Sequence, residues 1–201
     1  MLIVLTGIDG SGKTTAARAL VDSARAEGRN ALLLSNHAGR RHLSLLSERL
    51  GWNLLPRFAD FVESGIRLFN VLVHHARASS AARRFDGLVV MDRHLHCQLA
   101  LRQANGLGRG RLIPWLLGSL PAPDLMIHFD VDPRVAHDRV TTRGTDKETL
   151  ADLEAFRAAY RSLPEFDDFV VVDANGTPDD VLAQVTRAMA AVEPARASIS
   201  K

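Results

Sequence analysis

A glycine-rich stretch near the start of the chain carries the clearest chemistry. Residues 7–15 read GIDGSGKTT, which fits the pattern GxxxxGK[ST] with Lys13 and Thr14 in its last two places. Glycines let successive backbone N–H groups turn toward phosphate oxygens, the lysine adds a positive charge, and the threonine hydroxyl can hold Mg²⁺. The preceding run LIVLT has strand character, and the following residues favour a helix up to Gly28. This context predicts a phosphate-binding loop between a strand and a helix N-terminus.

A second chemical pair, Asp92 and Arg93, directly follows the apolar run GLVVM at residues 87–91. Because the carboxyl ends of parallel strands meet at one edge of a sheet, we expect this pair to lie beside the glycine-rich loop. A carboxylate there can hold Mg²⁺ directly or through water, and an arginine can clamp a phosphoryl group. Asp92 would also suit a helix N-cap, which is the structural alternative to the metal role.

Short apolar runs recur between helical segments along the chain. They lack strict alternation, as expected for strands covered on both faces, and they predict an α/β fold with a parallel five-stranded sheet and helices on both faces. The predicted strands are residues 2–6, 31–35, 87–91, 124–129 and 169–173. The long segment 36–86 is expected to bind a second substrate. Residues 133–165 are rich in charge, and the stretch TTRGTDKETLAD within them, which has few large apolar residues, is expected to be a mobile, exposed segment between two helices.

The composition of the 201 residues is that of one globular domain, with 46% hydrophobic and 24% charged residues. No apolar run approaches the ~20 residues of a membrane span, and we expect no secretory leader before the first strand. The single cysteine, Cys97, excludes an intrachain disulfide framework, so we expect a cytoplasmic protein without a membrane partner. The net charge is only +2 and arginines are interspersed with acids, so no nucleic acid polymer is expected as a partner.

Five segments together resemble the thymidylate kinase family of P-loop nucleoside monophosphate kinases. They read GIDGSGKTT, MDRH, PAPDLMIHFDVDP, RVTTRG and VVDANGTPDDV, and they occur in the family's order and spacing over nearly the whole chain. The resemblance implies a three-layer P-loop NTPase fold, organised as a single kinase domain over residues 1–201. The acceptor-binding region would be about residues 36–86, and a helical lid would be about residues 139–152. ATP as phosphoryl donor, Mg²⁺, nucleotide substrates and a homodimer are also implied.

The same resemblance implies roles for individual residues. Lys13 would contact the donor phosphates, while Thr14 and Asp92 would hold Mg²⁺. Arg93 would reach the acceptor phosphate, and Asp9 would meet a hydroxyl group of the acceptor sugar. The implied catalytic residues are Lys13, Asp92, Arg93 and Arg143. The implied ATP-binding residues are Gly7, Asp9, Gly10, Ser11, Gly12, Lys13, Thr14, Thr15, Arg139 and Asn175.

The resemblance implies that the lid of this chain supplies a further arginine. Some family members have an arginine inside the phosphate loop, but this chain has none there. It therefore resembles the group that uses a lid arginine, for which Arg139, Arg143 and Lys147 are the candidates. Arg139 and Arg143 are four residues apart and would share a helix face. The same spacing also fits an ordinary solvent-exposed helix face without a catalytic role. Asn175 would belong to a loop that frames adenine, or to a plain strand–turn–helix joint.

The acceptor side departs from the family pattern. The turn after the second strand reads NHAGRR rather than a REPGG-like motif, and Phe69 is followed four residues later by Val73 instead of an arginine. LHCQLALRQ stands where hydroxyl residues and a Tyr–Gln pair are usual. Because specificity depends on such contacts, these departures leave the acceptor open. The candidate acceptor contacts are Asp9, His37, Arg40, Arg67, Phe69, Asn70, Arg93 and Gln98.

Three hypotheses follow for the function of the chain. The first is ATP-dependent phosphoryl transfer to a nucleoside monophosphate, with dTMP as the leading acceptor. The second keeps the chemistry but uses a nucleoside or another small metabolite as acceptor, and the third is a nucleotide-binding module without turnover. A metal site formed by His94, His96 and Cys97 is rejected, because alternating residues on a helix would not converge on one tetrahedral ion. These histidines, with His74 and His75, are interpreted as packing or substrate-side residues.

Overall fold

The computed structural model describes residues 1–35, 71–81, 87–144 and 148–199, and its central feature is a five-stranded parallel sheet. The strands are β1 (Leu2–Thr6), β2 (Asn30–Ser35), β3 (Gly87–Asp92), β4 (Leu125–Asp130) and β5 (Val170–Asp173). Their order in the sheet is β2-β3-β1-β4-β5, and every pairing is parallel. Helices lie on both sides of the sheet, so the predicted α/β architecture is confirmed.

Helices connect the strands and pack against the sheet or one another. They are α1 (Lys13–Ala26), α2 (residues 71–81), α3 (Leu95–Ala104), α4 (Leu112–Ser119), α5 (Pro133–Arg143), α6 (Leu150–Arg161) and α7 (Pro178–Ile199), with a 3-10 helix at Pro164–Asp168. α1 packs on β2 and β3, α7 packs on α1 and β5, and α3 packs on α6. In the described part of the chain, no helix has both the length and the apolar character that crossing a membrane requires.

Burial differs between the central and the edge strands. All five residues of β1 are buried, and β3 is buried from Leu88 onward, which explains why both read as continuous apolar runs. The edge strands are more open, since each has a neighbouring strand on one side only: Leu32 in β2 is 37% exposed and Val171 in β5 is 48% exposed. The prediction that every strand is covered on both faces is therefore correct for the centre and wrong for the edges.

Residues 133–165 mainly form two regular helices, and the stretch TTRGTDKETLAD, residues 141–152, covers the end of the first helix and the start of the second. α5 begins after the N-cap Asp132, whose side chain accepts a backbone hydrogen bond. α6 begins with a capping box in which Thr149 and Asp152 each bond the other's backbone. Besides its charged residues, α6 has an apolar face whose residues recur at helical spacing and are buried. This face consists of Leu153, Phe156, Ala159 and Tyr160. Residues 145–147, between the two helices, lie outside the described residues.

Two of the buried histidines, His96 and His128, lie in the protein interior and are far apart in sequence. His128 on β4 is 1% exposed, and its Nδ1 lies 3.2 Å from the hydroxyl of Thr6. His96 on α3 is 7% exposed and packs edge-on against the ring of Phe169. Burial lowers the pKa of each imidazole to about 4, because a charged ring would lose its hydration. Both histidines are therefore neutral in the folded chain near neutral pH.

We expect the free energy of unfolding to fall by about 1 kcal/mol for each of these two histidines between pH 7 and pH 5.5. Below the ordinary histidine pKa of 6.5 the unfolded chain binds protons that the folded chain does not, so acid favours unfolding until the folded-state pKa near 4 is passed. Urea unfolding at the two pH values measures this change. The His128→Phe variant should show a smaller pH dependence than the native chain. An unfolding free energy that stays constant over this range contradicts the prediction.

Candidate active site

The register of β1 against β3 brings the two chemical segments together. Leu5 pairs with Asp92 in the parallel ladder, so the chain leaves both strands at the same edge of the sheet. The glycine-rich loop follows β1, and Arg93 follows β3 with its backbone N–H donating to the carbonyl of Leu5 at 3.1 Å. The predicted meeting of residues 7–15 with the Asp92–Arg93 pair is therefore present in the structure.

Gly7 and Gly10 allow the loop to pass close to neighbouring backbone. Both have positive φ, +136° and +80°, which is unfavourable for residues with a side chain. A Cβ atom at Gly7 would lie 2.7 Å from the carbonyl oxygen of Phe129, and one at Gly10 would lie 2.4 Å from the carbonyl oxygen of Ala136. The loop therefore has the tight strand–loop–helix geometry in which backbone N–H groups can surround an anion.

Lys13, at the first position of α1, is buried inside this loop. Its ammonium group donates to the carbonyl of Ile8 at 2.6 Å and to the hydroxyl of Ser11 at 3.0 Å. Burial and the nearby positive charge of Arg93 lower the pKa of Lys13, whereas Asp9 and Asp92 act in the opposite direction. The lysine thus brings a positive charge and hydrogen-bond donors to the centre of the loop.

Thr14 and Asp92 are neighbours across the two segments. The Thr14 hydroxyl donates to Oδ2 of Asp92 at 2.7 Å, and the second carboxylate oxygen, Oδ1, is buried with no hydrogen-bond partner among the described residues. Oxygen atoms of hydroxyl and carboxylate groups are the ligands that Mg²⁺ prefers, so this pair fits that ion. The N-cap of α3 is His94, so the alternative interpretation of Asp92 as a helix N-cap is wrong.

Arg93 forms an ion pair with Asp9 of the glycine-rich loop. The arginine side chain is 22% exposed and the aspartate side chain is 9% exposed. Burial alone would lower the pKa of Arg93, but the nearby acidic groups, Asp9 foremost among them, together raise it above its usual range. Arg93 is therefore always charged, and its guanidinium group lies at the loop where a phosphate would bind.

Arg139 and Asn175 lie on the other side of the loop, where they join α5 to the segment between β5 and α7. Arg139 donates to the carbonyl of Ala174 at 2.8 Å and to the carbonyls of Asn175 and Gly176 at 3.2 Å each. The side chain of Asn175 accepts from the backbone N–H of Asp132 at 2.8 Å. A cavity of about 250 Å³ opens here between the loop, α1 and this segment, lined by Ser11, Gly12, Thr15, Arg139, Gly176 and Pro178.

Of the remaining candidate site residues, two are described by the structure and six lie outside the described residues. Arg143 is the last residue of α5 and is exposed, with Gly144 as the helix C-cap. Gln98 lies half-buried on α3. Five candidate acceptor contacts and one lid candidate lie outside the described residues; they are His37, Arg40, Arg67, Phe69, Asn70 and Lys147.

Asp130 lies at the same edge of the sheet as the glycine-rich loop, and the sequence analysis did not identify it. It ends β4, next to β1 in the sheet, and its carboxylate accepts from Arg157 at 2.7 and 2.8 Å and from Arg161 at 2.6 Å. Burial would raise the pKa of Asp130, but the two arginines lower it below its usual range. These bonds attach α6 to the sheet edge that carries the loop. The signal was available in the sequence, because Asp130 ends an apolar strand just as Asp92 does.

Comparison with known proteins identifies the family. The sequence profile of the family described as thymidylate kinase matches residues 5–185, which is most of the chain. The chain belongs to the thymidylate kinase family. Its fold is accordingly the predicted P-loop NTPase fold, and it is a phosphotransferase of the nucleoside monophosphate kinase class. This membership supports the first of the three hypotheses over a nucleotide-binding module without turnover.

Individual thymidylate kinases resemble the chain over most of its length. A probable thymidylate kinase of Sulfurisphaera tokodaii is 29% identical over 86% of this chain and 86% of its own length. One from Pyrobaculum aerophilum is 28% identical over 91% of this chain and 93% of its own. The thymidylate kinase of Xanthomonas oryzae pv. oryzae is 30% identical over 92% of this chain and 80% of its own. The likeness therefore extends well beyond the phosphate loop.

Proposed function

We propose that this chain transfers the γ-phosphoryl group of ATP to dTMP, forming ADP and dTDP. The observation that carries the proposal is the convergence of Lys13, the Thr14–Asp92 pair and the Asp9–Arg93 pair at one edge of the sheet. This set supplies charge at the points where phosphoryl transfer needs it. Membership of the thymidylate kinase family supports thymidylate as the acceptor.

The donor would bind with its phosphates in the glycine-rich loop and its base in the cavity beside Arg139. The loop N–H groups and Lys13 would replace their present internal contacts by contacts with phosphate oxygens. The roles of Arg139 and Asn175 remain those proposed from the sequence, and their contacts support them because they shape the cavity next to the loop. Burying a planar base between the loop and the β5–α7 segment would exclude water from it.

Thr14 and Asp92 would hold Mg²⁺ together with the donor. The Oδ1 atom of Asp92, which has no hydrogen-bond partner among the described residues, supports this role, since a buried carboxylate oxygen needs a hydrogen bond or an ion. When bound, the ion would neutralise part of the charge on the donor phosphates.

The acceptor would be placed by Arg93 and Asp9. An oxygen of the acceptor phosphate attacks the γ-phosphorus in line with the bond to the leaving ADP oxygen, so one P–O bond forms as another breaks and no covalent enzyme intermediate arises. Lys13 and Arg93 hold the charged oxygens in position, which is where most catalysis of this reaction originates. Further acceptor contacts would come from segment 36–86, and Gln98 would lie on the same side.

The lid proposal concerns residues 139–152, where α5 ends and α6 begins. Arg143 would supply positive charge to the transferring group when this region closes over the site, which would also exclude water. Its position at the end of α5, one helical turn after the cavity residue Arg139, supports this role.

We also propose that the protein is a cytoplasmic homodimer, as the family resemblance implies. Trp115 and Leu112 on α4 are 65% and 57% exposed, and burying such apolar side chains against a second copy would be favourable. Sedimentation velocity should give a mass near twice the chain mass of 22.0 kDa. A single species at the mass of one chain, at micromolar concentration, contradicts the dimer.

ADP release from Mg²⁺-ATP tests the function directly. We expect stimulation by dTMP above dUMP, UMP, CMP, AMP, GMP and the matching nucleosides. Lys13→Ala should lower turnover by at least about a hundredfold, because it removes a buried charge aimed at the phosphates. Arg18→Ala, on the exposed face of the same helix, is the matched control and should leave turnover unchanged. Full turnover in Lys13→Ala would reject the assignment, and stimulation by nucleosides alone would favour the second hypothesis.

Arg139→Ala tests the donor cavity separately. Losing the arginine would remove the hydrogen bonds that hold the Ala174–Gly176 segment against α5, so we expect KM for ATP to rise about tenfold, equivalent to ~1.4 kcal/mol. KM for dTMP should change by less than about twofold. Arg134→Ala changes an exposed arginine on the same helix and serves as the control. Equal effects of the two substitutions on KM for ATP would show that Arg139 has no special role.

A further inference from the structure

The residue that follows Arg93 is a histidine whose type the local helix geometry does not explain. His94 is the N-cap of α3, with extended backbone angles of φ −135° and ψ −178°, but its side chain makes no capping hydrogen bond. Serine, threonine, aspartate and asparagine are the usual N-cap residues, because their short side chains accept a backbone N–H. Another interaction must therefore account for a buried histidine here.

Both ring nitrogens of His94 are engaged with other histidines. Its Nδ1 lies 3.1 Å from Nδ1 of His96 on α3, and its Nε2 lies 3.0 Å from Nδ1 of His75 on α2. The chain continues from Nε2 of His75 to the hydroxyl of Ser79, 3.2 Å away and also on α2. These four side chains, which we name the histidine chain, connect two helices through the residue next to Arg93.

The histidine chain is buried and can satisfy its own hydrogen bonds. His75, His94 and His96 are 1%, 2% and 7% exposed. A neutral imidazole has one N–H donor and one acceptor nitrogen, so the hydrogen bonds can all run toward His96, with Ser79, His75 and His94 donating, or all toward Ser79, with the three rings donating. Either arrangement pairs every nitrogen between the rings, whereas loss of the central ring would leave two buried partners incomplete.

Arg93 needs such support, because its backbone is strained. It is the one non-glycine residue with positive φ in the described part of the chain, at +76°. Backbone of this kind persists only where the surrounding structure fixes it, and it is common at functional sites. On one side the Arg93 N–H is fixed to the carbonyl of Leu5. On the other side the chain continues directly into His94.

We infer that His94 is a positioning residue for Arg93. By bonding to His75 and His96, it fixes the backbone on the carboxyl side of Arg93, as Leu5 fixes it on the amino side. The left-handed turn between these two anchors directs the guanidinium group toward Asp9 and the glycine-rich loop. The inference rests on the proposed phosphoryl transfer for its catalytic consequence. It concerns a residue that is not among those assigned to the donor, the acceptor or Mg²⁺.

The histidine chain also explains how α2 can influence the site. α2 occupies residues 71–81, inside the segment proposed to bind the acceptor, and contributes His75 and Ser79 to the chain. A displacement of α2 would therefore be transmitted to His94 and to the backbone of Arg93. The position of the acceptor region and the direction of Arg93 are coupled through hydrogen bonds rather than through packing alone.

A double-mutant cycle with His94→Phe and Arg93→Ala tests this inference. Phenylalanine keeps the ring and removes both nitrogens. We expect it to lower kcat/KM for dTMP at least about tenfold when Arg93 is present, with KM for ATP changed less than about twofold. In the Arg93→Ala background the same substitution should change kcat/KM less than about twofold, because the residue through which His94 acts is gone. Equal losses in both backgrounds overturn the inference.

His128→Phe is the matched control for removing a buried histidine. His128 is hydrogen-bonded to Thr6 and lies on β4, outside the histidine chain. Whatever its cost to stability, its effect on kcat/KM should be the same with and without Arg93. A dependence on Arg93 as large as that of His94→Phe would show that the cycle measures general loss of core order and would overturn the inference.

Two further variants keep the inference testable if His94→Phe does not fold. An asparagine amide can replace Nδ1 and retain the bond to His96, whereas a glutamine amide can reach the place of Nε2 and retain the bond to His75. We expect His94→Asn and His94→Gln each to fold and to lose kcat/KM by about three- to tenfold. Native values in both variants overturn the inference.

Crystal structures of the native chain and of His94→Asn give a readout that does not need turnover. The native chain should show Arg93 at positive φ and paired with Asp9, and the variant should lose the pair or move φ to negative values. An unchanged Arg93 in the variant overturns the inference even if dTMP is phosphorylated. A displaced Arg93 upholds it even if no acceptor in the panel stimulates ADP release, so failure of the proposed function is separately visible.

Discussion

The parallel pairing of β1 with β3 is the constraint on which the site depends. These central strands are buried, and their register sets Leu5 opposite Asp92. A slip of one residue would turn every side chain of a strand to the opposite face, and both faces are already filled. The core therefore fixes the distance between the glycine-rich loop and the Asp92–Arg93 pair, so that the catalytic geometry is a consequence of hydrophobic packing.

Charge balance is the second requirement at this sheet edge. Lys13 and Arg93 place two positive charges beside the negative charges of Asp9 and Asp92, and three of these four residues are less than 9% exposed. An unpaired charge at such depth would be costly, but each group here has an opposite partner or a close polar contact. The site is close to neutral before a nucleotide binds, which allows these groups to stay charged inside the protein.

The sequence predicted the features that local patterns encode, and missed those that tertiary contacts create. Five strands, the loop and the Asp92–Arg93 pair follow from apolar runs and from the residues that end them. The contact of His75 with His94 joins positions 19 apart on different helices, and no hydrophobic periodicity in the sequence predicts it. The buried face of α6 could have been predicted, because Leu153, Phe156 and Tyr160 recur at helical spacing. Segment 36–86, which we propose to bind the acceptor, departs from the family pattern, so the sequence left the acceptor open.

The Asp9–Arg93 ion pair supports the proposal that the acceptor carries a phosphate. Before binding, the guanidinium group of Arg93 is paired with the carboxylate of Asp9. An acceptor phosphate can replace that carboxylate at the arginine, and the released carboxylate can then accept a sugar hydroxyl, so both partners exchange one charge-assisted bond for another. A nucleoside without a phosphate offers Arg93 no anion, so taking Asp9 away would leave a largely buried positive charge unpaired. In the proposed function, discrimination between a monophosphate and a nucleoside would therefore follow from the cost of separating this ion pair.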